Sequence, residues 1–245
     1  AINNAGKVIL VDHINHCIVD AVQENDFKKI DELYDGSVKK SIIERVNREL
    51  QIVVDNNNIQ SFYIMKIISD YVKSLGYNIK LRGNVNGSMV MFLLGVSEIY
   101  EDSDSYIYLD LDKNIEACLE VPSVIYKDVI NYLESIIGEN SLFKAGIQQL
   151  YSEFRAKQLV DKYIDNKNLD LNEEDIKETI NSLVKVRSQT VNHVACYFVI
   201  PNYLELPCEN VNNSKVIHFD YSDINNYLFK INLLSSEEMS MLGKL

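Results

Sequence analysis

Asp110 and Asp112 stand two residues apart in the stretch Tyr106 to Asp112, where Ile107, Leu109 and Leu111 alternate with Tyr108, Asp110 and Asp112. In an extended strand this alternation puts the apolar side chains on one face and both carboxylates on the other. Paired carboxylates are what hard divalent cations need, because magnesium takes oxygen ligands and bridges phosphates. The same spacing is common on solvated strand faces, so the pair alone does not fix its role. Gly87 and Ser88 narrow the choice. They fall where a strand candidate gives way to an apolar helix candidate, a junction whose free N–H groups and hydroxyl could hold a triphosphate. Arg82 adds a charge-assisted contact. Together these residues describe a metal-and-triphosphate core.

The elements that must position them follow from hydrophobic spacing. Ile30, Leu33, Val38, Ile42, Ile43, Val46 and Leu50 recur at helical intervals with a break near Gly36, which predicts two helices between about 26 and 51. Phe62, Ile64, Ile67, Ile68, Tyr71, Val72 and Leu75 predict another, stopped at Gly76. Tyr77 to Leu81 reads as a short strand, Arg82 to Ser88 as a loop and Met89 to Leu94 as the start of a helix. From Val124 to Arg187 the pattern is helical, with Gly138 as a stop and Glu173-Glu174-Asp175 as an acidic helix start. Strand character returns at Ala195–Ile200, 215–219 and 227–233, and Ser235-x-x-Glu238 opens a last short helix as a capping box. Sheet elements thus lie on both sides of a helical insertion.

The stretch Arg82 to Gly95, Arg-Gly-x-x-x-Gly-Ser-x-Val-x-x-Leu-Leu-Gly, resembles the loop-helix signature of family C polymerases, the bacterial DNA polymerase III alpha subunits, and four further blocks agree in order. Leu109-Asp110-Leu111-Asp112 is similar to the family's Asp-Ile-Asp-Leu motif. Gly138-Glu139-Asn140 with Phe143-Lys144-Ala145-Gly146 resembles its Phe-Gly-Glu and Tyr-Arg-Ala-Gly block. His193 with Val199-Ile200-Pro201-Asn202-Tyr203 is similar to its His-Pro-Gly-Gly and Val-Pro-Asp-Tyr block, and His218-Phe219-Asp220-Tyr221, running to Lys230-Ile231-Asn232, resembles the PolC type. The match spans roughly Val38 to Leu245.

The resemblance implies an α+β fold: a polymerase-beta-like nucleotidyltransferase palm, with a mixed sheet and flanking helices, and an inserted helical thumb-like subdomain. On that basis residues 1–122 are the N-terminal helices and first part of the palm, 123–190 the thumb-like insertion and 191–245 the second part of the palm. Carried over, Asp110 and Asp112 are the first two catalytic metal ligands, Arg82, Gly87 and Ser88 hold the triphosphate, and His193 belongs to a family block. The third catalytic position is Asn232, a neutral carbonyl where the family has an aspartate. Asn84 replaces a Ser of the loop, Ala195 and Cys196 replace two glycines, and Ser235 replaces another. The zinc-binding cysteine cluster of the PolC type is missing, since only a few residues separate Glu98 from Tyr106. The phosphoesterase, exonuclease and fingers domains have no room in 245 residues, and positioning by such parts supplies much of phosphoryl-transfer catalysis. The expectation is a DNA replication module weak or inactive as a stand-alone polymerase, with magnesium weak or absent and no zinc. An active nucleotidyltransferase, with Asp220, Asp223 or Glu237 replacing the lost carboxylate, is the alternative, and a scaffold for a basic protein partner is another.

Composition agrees with weak nucleic-acid contact. A net charge of -12 opposes broad DNA binding, and Gly138 to Thr190 carries eight basic residues against nine acidic ones, a poor grip on phosphates. Nucleotide triphosphate and DNA are therefore expected as weak partners. The four cysteines form no C-x-x-C pair, His13 and His16 lack further metal ligands, and the fifteen tyrosines are dispersed. No apolar run reaches the roughly 18 residues of a membrane span, so no membrane partner and a cytoplasmic location are expected. Beginning at Ala1 rather than Met, the chain reads as an excised fragment or a processed form.

Overall fold

The computed structural model describes residues 36–97, 115–138, 140–200, 204–211, 214–225 and 227–242. The expected strand at 106–112, the helix expected before Gly36 and the His13/His16 pair lie outside the described residues. Helices and a mixed arrangement of parallel and antiparallel strands give an α+β chain, divided into two compact units.

The first unit comprises residues 1–142, 195–204 and 229–245. It opens with α1 (Gly36–Asp55) and α2 (Ile59–Ser74). On α2 the fully buried Phe62, Met65, Ile68 and Val72 recur every three or four residues, so one stripe faces the core. Each such burial contributes about 1.5–3 kcal/mol. The helix stops as its glycine predicts: Gly76 takes φ +80, its N–H donates to the Lys73 carbonyl, and the Tyr77 N–H donates to the Val72 carbonyl. After β1 (Lys80–Leu81) and a tight turn at Gly83–Val85 comes the five-residue helix α3 (Met89–Leu93).

β2 (Ala117–Pro122) follows, then α4 (Tyr126–Ile137), with the Tyr132 ring stacked on Tyr71 of α2 at 4.0 Å. Ala117, Leu119 and Val121 are fully buried, which leaves Cys118 and Glu120 to the opposite face. Just before this strand, Ile115 is clasped by α2 and its cap. Its N–H donates to the Asn58 side chain at 3.1 Å, and its carbonyl accepts from the Ser61 hydroxyl at 2.6 Å. The sheet of this unit runs β1, β2, β7 (Phe229–Ser236), then the C-terminal part of β4 (Arg187–Val199). β2 and β7 are parallel, with Cys118 opposite Asn232 and Leu119 opposite Leu233, and the outer pairings are antiparallel. A last helix, α8 (Glu237–Met241), starts one residue later than its sequence signal, since Ser236 rather than Ser235 accepts from the Met239 N–H.

The second unit comprises 143–194 and 205–228. The helical pattern predicted from Val124 to Arg187 holds for α4, for α5 (Glu153–Lys167) and for α6 (Glu173–Leu183), but Leu142–Leu150 between them is a strand, β3. Both of these last two helices are capped by side chains, Ser152 accepting from the Arg155 N–H and Asn172 from the Asp175 N–H, just ahead of the acidic start at Glu173. β3 lies between the first part of β4 and β6 (Ser214–Asp220), and β5 (Cys208–Val211) pairs antiparallel with β6. β3 and β6 are parallel, with a register shift between Lys144 and Gly146. Gly146 is required there, since a Cβ would lie 2.3 Å from the Ile217 carbonyl oxygen.

Asp220 caps the short helix α7 (Tyr221–Ile224). One carboxylate oxygen accepts from the Ser222 N–H and hydroxyl at 2.9 and 2.7 Å, and the other from the Gln148 N–H at 2.8 Å. Partial burial pushes its pKa up, but the hydrogen bonds from Ser222 and Gln148 outweigh it and hold the carboxyl below its usual range. A depressed folded value means stability present above the unfolded pKa and lost as pH falls through the folded one. Urea midpoints measured from pH 5 down to pH 2 should therefore fall less steeply for Asp220→Asn than for the unsubstituted chain, and equal slopes would contradict this role.

Candidate functional site

The open face of the first unit's sheet is built by β2 and β7. Strand alternation puts Cys118 and Glu120 on it from β2 and Lys230 and Asn232 from β7, with Glu116 just before β2. The Glu116 carboxylate is held at both ends by β7: the Lys230 Nζ is 2.6 Å from Oε1, and the Asn232 Nδ2 donates to Oε2 at 2.8 Å. Burial first, then the Glu116 and Glu120 carboxylates, push the Cys118 thiol pKa up, while Arg82 partly offsets them. That thiol stays protonated at neutral pH.

Arg82 closes the other side. Its N–H donates to the Cys118 carbonyl at 3.0 Å, and its guanidinium pairs with Glu120, Nε lying 2.6 Å from the carboxylate. Downstream, Gly87 takes φ +99 with open space around it, so its requirement is conformational. Ser88, 4% exposed, caps α3: its hydroxyl accepts from the Met91 N–H at 3.2 Å and donates to Glu49 at 2.7 Å. The Glu49 carboxylate, delivered by α1, also accepts from the backbone N–H groups of Met89 and Val90 at 3.1 and 3.0 Å. Arg45 completes the arrangement, its Nε reaching Glu49 at 2.9 Å and its Nη2 the Gly87 carbonyl at 2.7 Å. An internal carboxylate therefore sits at the turn read from sequence as a phosphate cradle.

Of the sequence-derived site residues, Arg82, Gly87, Ser88 and Asn232 fall in this unit, while Asp110 and Asp112 lie outside the described residues. His193 belongs to the second unit, where its ring stacks on Tyr221 at 4.8 Å; burial, then the Lys144 charge, lower its pKa, so it is neutral at pH 7. Lys144 itself is buried and donates to the Val194 carbonyl at 3.2 Å. Glu49, Glu116, Glu120 and Lys230 were not legible as site residues. The available signal was the alternation of Glu116, Cys118 and Glu120 with Ala117, Leu119 and Val121, which marks a strand with polar groups on one face. Asp220, the alternative carboxylate, has both oxygens engaged in the second unit.

The described donors do not by themselves make a magnesium centre. Among the described residues no three His, Cys, Asp or Glu side chains converge to hold a metal. The face offers an amide, a protonated soft thiol and two carboxylates already bound to cationic side chains, whereas magnesium demands several free hard oxygens. None of the described helices is long and apolar enough to cross a membrane.

Residues 20–106 match the family model of the bacterial DNA polymerase III alpha NTPase domain. Two similar proteins are the PolC-type DNA polymerase III of Staphylococcus saprophyticus and that of Staphylococcus aureus, each 21% identical over 283 residues. Each alignment takes in 91% of this chain and 19% of the relative, so the chain spans about a fifth of the length of the relatives it matches. The family match covers α1, α2, the loop and α3, and the full-length similarity carries on through both units. The chain is thus similar, at low identity, to a region of PolC-type DNA polymerase III.

Proposed function

We propose that this polymerase-related module has the palm architecture of the nucleotidyltransferases but does not itself join nucleotides. The observation that carries the reading is the register pair Cys118 and Asn232 on parallel β2 and β7. By the family resemblance Asn232 occupies a catalytic aspartate position, and Cys118 is its cross-strand partner. Two-metal phosphoryl transfer needs a carboxylate at the Asn232 position to help hold the cations that activate the attacking hydroxyl and steady the leaving group. A thiol and an amide supply no negative charge, and the thiol supplies no oxygen. The engagement of Arg82 with Glu120, and of Ser88 with Glu49, supports the reading from the triphosphate side. A net charge of -12 supports it from the side of DNA, whose phosphates the chain meets with a surplus of its own negative charge. What remains is binding work, and an acidic surface suits a basic protein partner.

Primer extension with magnesium, primed template and all four deoxynucleotides tests this directly. No extended product is expected. Extension that disappears in Asp110→Ala or Asp112→Ala would overturn the proposal and restore the active alternative.

A further inference from the structure

The metal that the resemblance implies and the residues of this face disagree, and we infer that the β2/β7 face is closed to divalent cations by the chain's own N–H donors. The inference rests on the reading that this face carries the catalytic positions. Glu116 is a described carboxylate hydrogen-bonded to Asn232, and each of its oxygens already has a nitrogen partner on β7, Lys230 at 2.6 Å and Asn232 at 2.8 Å. A cation approaching it must displace both donors and settle beside an ammonium that is only 14% exposed and has little room to swing away. The next carboxylate along the strand, Glu120, is 10% exposed in its side chain and paired with Arg82. Between them on the strand stands the Cys118 thiol, a soft group that magnesium and manganese take poorly. Among the described residues, both acids of this face, Glu116 and Glu120, are thus committed to positive side chains. Two substituents, the thiol of Cys118 and the amide of Asn232, stand where carboxylates would bring the number on this face to four.

Manganese alone serves as the probe, with free Mn2+ followed by electron paramagnetic resonance in a titration of the whole chain. The unsubstituted chain and Glu116→Gln should give the same isotherm, any weak uptake by the acidic surface being common to both. The double substitution Cys118→Asp with Asn232→Asp should gain a saturable site at least tenfold tighter than anything in the parent, together with a melting temperature that rises with Mn2+. A tenfold weakening of parental binding in Glu116→Gln would overturn the inference, as would a double variant that is folded by circular dichroism yet gains no site. Should the double variant not fold, the comparison of the parent with Glu116→Gln decides alone. The outcome is separable from the proposed function: Glu116-dependent Mn2+ binding without primer extension sinks this inference only, and extension by a chain indifferent at Glu116 sinks the non-polymerising reading only.

Discussion

Replacing Glu49 by alanine should cost on the order of 3–5 kcal/mol, the range for removing one partner of a buried ionic cluster. Glu49 is 8% exposed and accepts from four donors: the Arg45 guanidinium, the Ser88 hydroxyl and the N–H groups of Met89 and Val90. Truncation leaves all of them facing a void. The two backbone groups cannot turn elsewhere, because the first N–H groups of a helix have no intrahelical acceptor. Arg45 keeps its bond to the Gly87 carbonyl but loses its counter-charge in a place where its own side chain is only 18% exposed. Glu49→Gln retains one acceptor oxygen and turns an amide toward the remaining donors, so it should cost about 1–3 kcal/mol, the penalty of one badly satisfied buried group. Urea unfolding followed by circular dichroism gives both values through the midpoint, with the slope held constant. A cost below about 1 kcal/mol for Glu49→Ala would mean that water replaces the carboxylate without loss.

The second large effect belongs to Gly146→Ala, for which a destabilisation of about 3 kcal/mol is expected, at the upper end for overpacking. An added Cβ would lie 2.3 Å from the Ile217 carbonyl oxygen, 3.0 Å from the Thr190 methyl and 3.2 Å from a Val216 methyl. The two methyls can yield by small rotations. The carbonyl cannot, because it belongs to the strand running parallel to β3 just where the pairing shifts register. Relief therefore requires β6 to move away from β3, which strains hydrogen bonds on both sides. Thermal melting would record the loss, and limited proteolysis would locate it in 143–194 and 205–228. A variant melting within a degree or two of the parent would show that the strands separate at little cost. Gly87 makes a useful contrast: no atom lies within 4 Å of its would-be Cβ, so Gly87→Ala should be penalised only by its φ of +99.

The parts of this structure legible in the sequence are those governed by local rules. α2 is bounded by its apolar stripe and by Gly76, α6 by its acidic start at Glu173-Glu174-Asp175, and the Arg82 to Ser88 loop by its glycines. The strand β3 was not, because Leu-Phe-Lys-Ala-Gly-Ile-Gln-Gln-Leu has no two-residue alternation and its glycine reads as a breaker. That glycine is there for a partner 71 positions downstream, which no local window contains. β2 was passed over for a similar reason. Its polar members are glutamates and a cysteine, and the acidic pair at Asp110 and Asp112 offered a more familiar pattern nearby. What makes Glu116 and Glu120 members of the site is their pairing with Lys230, Asn232 and Arg82, a matter of sheet register. Glu49 lies still further from prediction, since a glutamate on a long amphipathic helix looks like any solvated charge until the chain folds back and delivers α3 to it.

The clasp of Asn58 and Ser61 on Ile115 has a consequence for how a chain of this kind tolerates change in length. At the near end, the N–H groups of Val96 and Ser97 are tied to the Met91 carbonyl, and at the far end Ile115 is tied by its own N–H and carbonyl to α2 and its cap. Both anchors lie within the folded unit, so residues spliced in or cut out between 98 and 114 would not transmit a shift to β2 or to the register of Cys118 against Asn232. The sheet beyond Ile115 thus owes its alignment to bonds of its own, and a splice made ahead of Ile115 meets a frame already fixed on both sides.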